Sequence, residues 1–151
     1  MQSFKKLKKG DQIAIVSPSF AAPGRWPHVY ELALQRMRDV FQLEPVEFSA
    51  TKKLGASKEE RAADLIAAFA NPKIKAVMAS LGGDDQVTYA RHLPPTPFQN
   101  NPKPFFGYSG LLSTPPNAQS ISATLESASV DGNIEAFGLL MRNSMKMQPA
   151  I

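Results

Sequence analysis

Residues 75–80, Lys-Ala-Val-Met-Ala-Ser, are almost unbroken in apolar character, and no other feature constrains the fold as tightly. A strand with one solvated face alternates apolar and polar residues, whereas a continuous apolar run suits a strand covered on both faces. Residues 12–17, Gln-Ile-Ala-Ile-Val-Ser, form a second such run between Gly10-Asp11 and Pro18. Glu44 to Phe48 and Pro104 to Tyr108 read as two further strands. Between the first two runs, Val29, Leu32, Ala33, Met37, Val40 and Phe41 recur at three- and four-residue steps, which predicts an amphipathic helix over 28–41. Ser57 and Glu60 have the spacing of a capping box, followed by an apolar stripe of Ala62, Leu65, Ile66 and Phe69. Asn71-Pro72 ends that second helix, because proline disfavours helical geometry in the residue before it. Asp84 or Asp85 can cap a short third helix running to about His92. Prolines 18, 23 and 27 mark a loop, and Pro94-Pro95-Thr96-Pro97 a connector. The β-α-β-α-β-α-β alternation predicts an α/β domain over residues 1–110, with a parallel sheet of about four strands and helices on both faces.

The pattern does not continue past residue 110. Pro115-Pro116 blocks a helix directly behind Ser109, and of the thirteen aromatic residues only Phe137 lies beyond that serine. Serines 113, 120, 122, 127 and 129 are scattered without an apolar period, so 111–151 is expected to be a tail of low order, with one short element over 134–141.

Bulk composition excludes several functions. Among 151 residues, 43% are hydrophobic and 20% charged, the balance of a soluble globular chain. The net charge of +4 equals the contribution of Lys5, Lys6, Lys8 and Lys9, a solvated run with no aromatic residues interleaved, which argues against nucleic-acid binding. The absence of cysteine removes disulfides, thiolate catalysis and cysteine-held metal. No apolar run is long enough to span a bilayer and none follows the lysines as a leader, so no membrane role and a cytoplasmic location are expected.

The chemistry concentrates at two strand ends. Ser109 closes the run Lys103-Pro-Phe-Phe-Gly-Tyr-Ser-Gly110, and Ser80-Leu-Gly-Gly-Asp-Asp-Gln86 closes another. A serine hydroxyl is a weak nucleophile until a base takes its proton, and the oxyanion it generates needs aimed N–H donors. Gly82 and Gly83 let a backbone approach a ligand, and Gly110 leaves room behind the serine. Each position also has a plain reading: Ser109 as a turn or cap residue, and Gly82-Gly83 as a tight turn with Asp84 as N-cap. Leu111 stands where the G-x-S-x-G elbow has glycine. No third glycine has dinucleotide spacing and no P-loop lysine follows, which leaves a flavodoxin-like or nucleotide-triphosphate domain unsupported and predicts no cofactor. Asp84 and Asp85 alone are too few for a metal site. His28 and His92 lack a local context that would orient an imidazole.

Taken together, four segments resemble the LD-carboxypeptidase family of serine peptidases, particularly its microcin-immunity branch. They are Gly10-Asp-Gln-Ile-Ala-Ile-Val-Ser-Pro18, Lys53-Leu-Gly-Ala-Ser-Lys-Glu-Glu-Arg-Ala-Ala-Asp-Leu65, Ser80-Leu-Gly-Gly-Asp-Asp-Gln86 and Asn101-Pro-Lys-Pro-Phe-Phe-Gly-Tyr-Ser109. The resemblance implies that Ser109 is the nucleophile, and that the Gly82-Gly83 turn and the N–H of Gly110 form the oxyanion hole. It also implies a Ser-Glu-His triad whose glutamate and histidine belong to a C-terminal domain, and these 151 residues are expected to stop before it. The family has aspartate after the serine, where Gly110 stands here, and beyond it only Val130-Asp-Gly-Asn-Ile-Glu-Ala-Phe-Gly138 keeps a faint likeness.

The resulting expectation is a nucleophile-bearing half of a serine hydrolase, truncated and nearly inactive alone. Its intact relatives would cleave a peptide or amide bond beside a free carboxylate, in murein-derived tetrapeptides or in aminoacyl-nucleotide conjugates. The Gly-Gly-Asp-Asp-Gln variant leans toward the latter. The alternative is a non-catalytic binding module derived from that domain, whose exposed apolar surface would favour self-association.

Overall fold

The computed structural model describes residues 7–82, 85, 87–90 and 93–106. Strand β1 (Gln12–Val16) is followed by a one-turn helix α1 (Ala22–Arg25) and then by α2 (Pro27–Asp39). Strand β2 (Glu44–Glu47) leads to α3 (Lys58–Ala70) and β3 (Ile74–Ala79). Two short helices, α4 (Val87–Ala90) and α5 (Thr96–Asn100), precede β4 (Phe105–Phe106). Among the described residues the sheet has four strands in the order β2-β1-β3-β4, and every pairing is parallel. The predicted α/β class, parallel sheet and strand positions are therefore present.

Both faces of the sheet are covered, which explains the unbroken apolar runs. Ile13, Ile15, Ala76, Met78 and Phe106 pack against Tyr30, Leu34 and Met37 of α2. Ala14, Val16, Val77, Ala79 and Phe105 face the other way, against Leu65, Ala68 and Phe69 of α3, with Tyr89 and Phe98 from the short helices. The strand period of two assigns alternate residues to the two cores. One irregularity interrupts the ladder: Gln12 pairs with Ile74 but Ile13 with Ala76, so Lys75 is the extra residue of a bulge and stays exposed.

Two expectations need correction. The segment 18–27, expected as loop, contains α1, with a proline in its first turn where a missing N–H costs nothing. The Pro94–Pro97 connector runs directly into α5, again with proline at its start. The expected third helix is described over Val87–Ala90, and Asp84 and His92, which would mark its ends, lie outside the described residues. The capping box of α3 is complete: Glu60 N–H donates to Ser57 Oγ and the Glu60 carboxylate accepts from Ser57 N–H. The expected tail, 111–151, lies outside the described residues, as does the boundary at 110.

Candidate active site

The connection from β1 to β2 runs along one face, and that from β2 to β3 crosses back over β1 on the other. The strand order therefore reverses between β1 and β3, and the crevice outside their carboxyl ends is where open parallel sheets bind ligands. Ser17 and Ser80 are the residues just after those two strands. Ser17 Oγ donates to the Thr51 carbonyl at 2.7 Å, which commits its single proton. Its contact with Ser80 Oγ, at 2.8 Å, then takes its proton from Ser80. The Phe20 carbonyl lies 3.3 Å from that same hydroxyl as a second acceptor. Among the described residues neither serine contacts a base; the pair laces the two strand ends together.

A layer of buried polar groups fixes the loops around this pair. Thr51 Oγ1 donates to the Ile15 carbonyl at 2.6 Å and accepts from Phe48 N–H at 2.9 Å. Asp64, on α3, accepts from Ser49 Oγ at 2.8 Å and from Ala50 N–H at 2.7 Å, which ties the helix to the turn after β2. Arg61, one turn earlier, donates to the Ser19 carbonyl at 2.6 Å and to Asp85 at 3.0 Å. The Asp85 carboxylate is thus held by a guanidinium, and among the described residues no cluster of three metal-ligating side chains forms. Tyr89 OH donates to the Pro18 carbonyl at 2.7 Å, and burial, with a smaller contribution from Asp85, raises that phenol so that it remains a donor.

Of the residues singled out from the sequence, Gly82 is described; it follows Ser80 by two positions and is half-buried at this edge. Gly83, Ser109 and Gly110 lie outside the described residues, as do Asp84 and His92. Strand β4 runs parallel to β3, with Phe106 level with Met78, so its carboxyl end is at the edge that holds Gly82. His28 is exposed in the first turn of α2 and has no hydrogen-bond partner among the described residues. Thr51, Arg61, Asp64 and Tyr89 had no site role in the sequence reading. Apart from Phe48, three residues before Thr51, their partners lie 14 to 71 residues away along the chain, beyond any local motif.

Lys103 anchors the approach to β4. It is 6% exposed, and its ammonium donates to the Ala68 carbonyl at 3.0 Å and to that of Asn71. Pro72 has no N–H for Ala68, the residue four positions earlier, so Lys103 supplies the donor that helix α3 lacks at its end. Burial, reinforced by nearby Lys75, pulls the Lys103 ammonium down to about 8.

The profile of the LD-carboxypeptidase N-terminal domain family matches residues 13–112. A Bacillus subtilis (strain 168) protein named as a carboxypeptidase, YocD, is 33% identical over 109 residues, covering 70% of this chain and 34% of that relative. The microcin C7 self immunity protein MccF, solved with aspartyl sulfamoyl adenosine, has the same fold, with a TM-score of 0.66 at 24% identity over 70% of this chain and 32% of MccF. An MccF-like protein from Bacillus anthracis str. Ames superposes with a TM-score of 0.64 at 29% identity, over 70% of this chain and 33% of its own. The chain spans about a third of the length of each of these proteins. With its strands, its switch point and its glycine turn all inside the matched stretch, the chain belongs to the LD-carboxypeptidase N-terminal domain family.

Proposed function

We propose that this chain carries the nucleophile of a serine hydrolase, with Ser109 attacking and the N–H groups of Gly82, Gly83 and Gly110 receiving the oxyanion. The observation that carries the reading is the parallel β3–β4 pair, which directs the Gly82 turn and the strand leading to Ser109 toward one edge beside the switch point. In the reaction, the serine oxygen bonds to an amide carbonyl carbon while its proton passes to a base. The C–N bond then breaks with that proton delivered to the leaving amine, and water cleaves the acyl ester to regenerate the hydroxyl.

The bond attacked is a peptide or amide bond beside a free carboxylate, and we favour aminoacyl-nucleotide conjugates as the substrate class. MccF structures contain aspartyl sulfamoyl adenosine and glutamyl sulfamoyl guanosine, which supports that choice. Among the described residues no base is placed to take the serine's proton. His28 has no orienting partner among the described residues, so these 151 residues are expected to hydrolyse amides very slowly. Loss of a triad's base removes on the order of a million-fold in rate.

Mass spectrometry after incubation with a fluorophosphonate tests the assignment. A slowly formed adduct should map to the peptide containing Ser109 and vanish in Ser109→Ala. An adduct on another serine, or labelling that survives the substitution, would contradict it.

A further inference from the structure

The loop that leaves β1 is held by three carbonyl oxygens in succession. Pro18 accepts from Tyr89 OH at 2.7 Å, Ser19 from Arg61 Nη1 at 2.6 Å, and Phe20 faces the Ser80 hydroxyl at 3.3 Å. None of these donors belongs to the loop itself; they come from α4, from α3 and from the residue after β3. Arg61 does more than the other two. The same Nη1 donates to the Asp85 carboxylate at 3.0 Å, so one nitrogen joins the loop after β1 to the loop after β3. Asp85 is gripped a second time, where Thr88 Oγ1 donates to its carbonyl at 2.6 Å.

The joint is fixed from the arginine side. The Arg61 side chain is 14% exposed, whereas the paired lysines Lys52, Lys53 and Lys58 are about half exposed. The helix that carries it is pinned at Asp64, three residues on, by Ser49 Oγ and Ala50 N–H. An ion pair between two exposed side chains holds little. A largely buried guanidinium differs, because removing its carboxylate leaves a charge with poor access to water. The two loops it joins follow the strands whose carboxyl ends bound the switch-point crevice. Gly82 stands three residues before Asp85 in the second of them.

We propose that Arg61 is a positioning residue: through Asp85 and the Ser19 carbonyl it sets the spacing of the two loops that flank the β1/β3 crevice, and with it the aim of the Gly82 N–H at the oxyanion. The role in catalysis rests on the hydrolase reading, whereas the joint between the loops can be tested apart from it. Arg61 touches no reacting atom and acts through the backbone it holds. An oxyanion donor lowers the barrier only when it points to where charge develops, and a misplacement of about 1 Å costs on the order of a hundredfold in rate.

Fluorophosphonate labelling of Ser109 in the full chain, with imidazole supplied as base, reads that aim. Varying the reagent concentration separates its apparent affinity from the rate constant of the bonding step, and the final labelled fraction counts folded chains. Asp85→Ala should lower the rate constant by about tenfold or more while affinity and labelled fraction hold. Arg61→Gln should do the same, and the double variant should be no slower than the slower single one, because both act through one joint. If Arg61→Gln fails to fold by circular dichroism, Asp85→Ala, at an exposed carboxylate, carries the test. An unchanged rate constant in Asp85→Ala would overturn the proposal, as would multiplied effects in the double variant or a loss confined to the labelled fraction. Amide hydrogen exchange reads the joint without the reaction. The peptide 81–86 should exchange about tenfold faster in Asp85→Ala, with β1 and β3 as protected as in the wild type. Equal exchange in the two proteins would show that no joint holds the loop. A wild-type chain that never labels at Ser109 yet shows this exchange difference would remove the hydrolase reading and support the joint.

Discussion

At the scale of single residues, this chain shows how one missing Cβ can set the shape of a site rim. Gly24 is not held in a left-handed conformation; what it lacks is space. A Cβ there would meet the Lys52 carbonyl oxygen at 2.1 Å and its carbon at 3.0 Å, and both are backbone atoms that cannot swing away. Gly24→Ala should therefore separate α1 from the 51–55 turn and lower stability by about 1–3 kcal/mol, the usual cost of overpacking. Urea unfolding checks this, and an unchanged midpoint would show that the two segments slide apart freely. Asp64 makes the complementary point about buried carboxylates. It lies on the apolar side of α3, between residues read as the stripe, and its acceptors are filled by Ser49 and Ala50. Nothing local in Ala-Ala-Asp-Leu announces that role, because the donors come from a turn in the preceding connection.

At the scale of elements, Lys103 links the end of α3 to the entrance of β4. Its ammonium is pulled down to about 8 in the fold and titrates at about 10.4 when unfolded. Between those values the unfolded chain binds more protons, so stability rises with pH across the window. Above about 10 the trend reverses: the buried phenols of Tyr30 and Tyr89 are raised by burial, stay protonated in the fold and ionise when it opens. The urea midpoint should therefore climb from pH about 8 to about 10 in the wild type and remain flat in Lys103→Met. Equal slopes in both would show that the lysine is not the titrating group. Elements with local signals were legible in the sequence. The Ser57–Glu60 capping box lies within one turn, and the unbroken β3 run declares its two covered faces. Helices α1 and α5 were not legible, because prolines that usually break structure occupy their first turns, where proline is tolerated. The Ser17–Ser80 bond was hidden for a different reason: 63 residues separate its partners, and only the reversal of strand order brings them together.

At the scale of the whole molecule, the fold brings the switch point and two laced strand ends to one edge. The switch point and the laced strand ends follow from four parallel strands and two covered faces. Gly82, read from the sequence as half of a ligand-facing pair of glycines, follows β3 by three positions, and Gly83 lies outside the described residues. The exposure of Phe20 and Trp26 could be found only after folding, since it is not written in the residues themselves. On the hydrolase reading, what this edge can do depends on whether Ser109 is activated. The rate of fluorophosphonate labelling at Ser109, followed with increasing imidazole, measures this directly. An unactivated hydroxyl should react slowly in buffer and faster in proportion to free-base imidazole. Rapid labelling without imidazole that is lost in His28→Asn would show a base already in place.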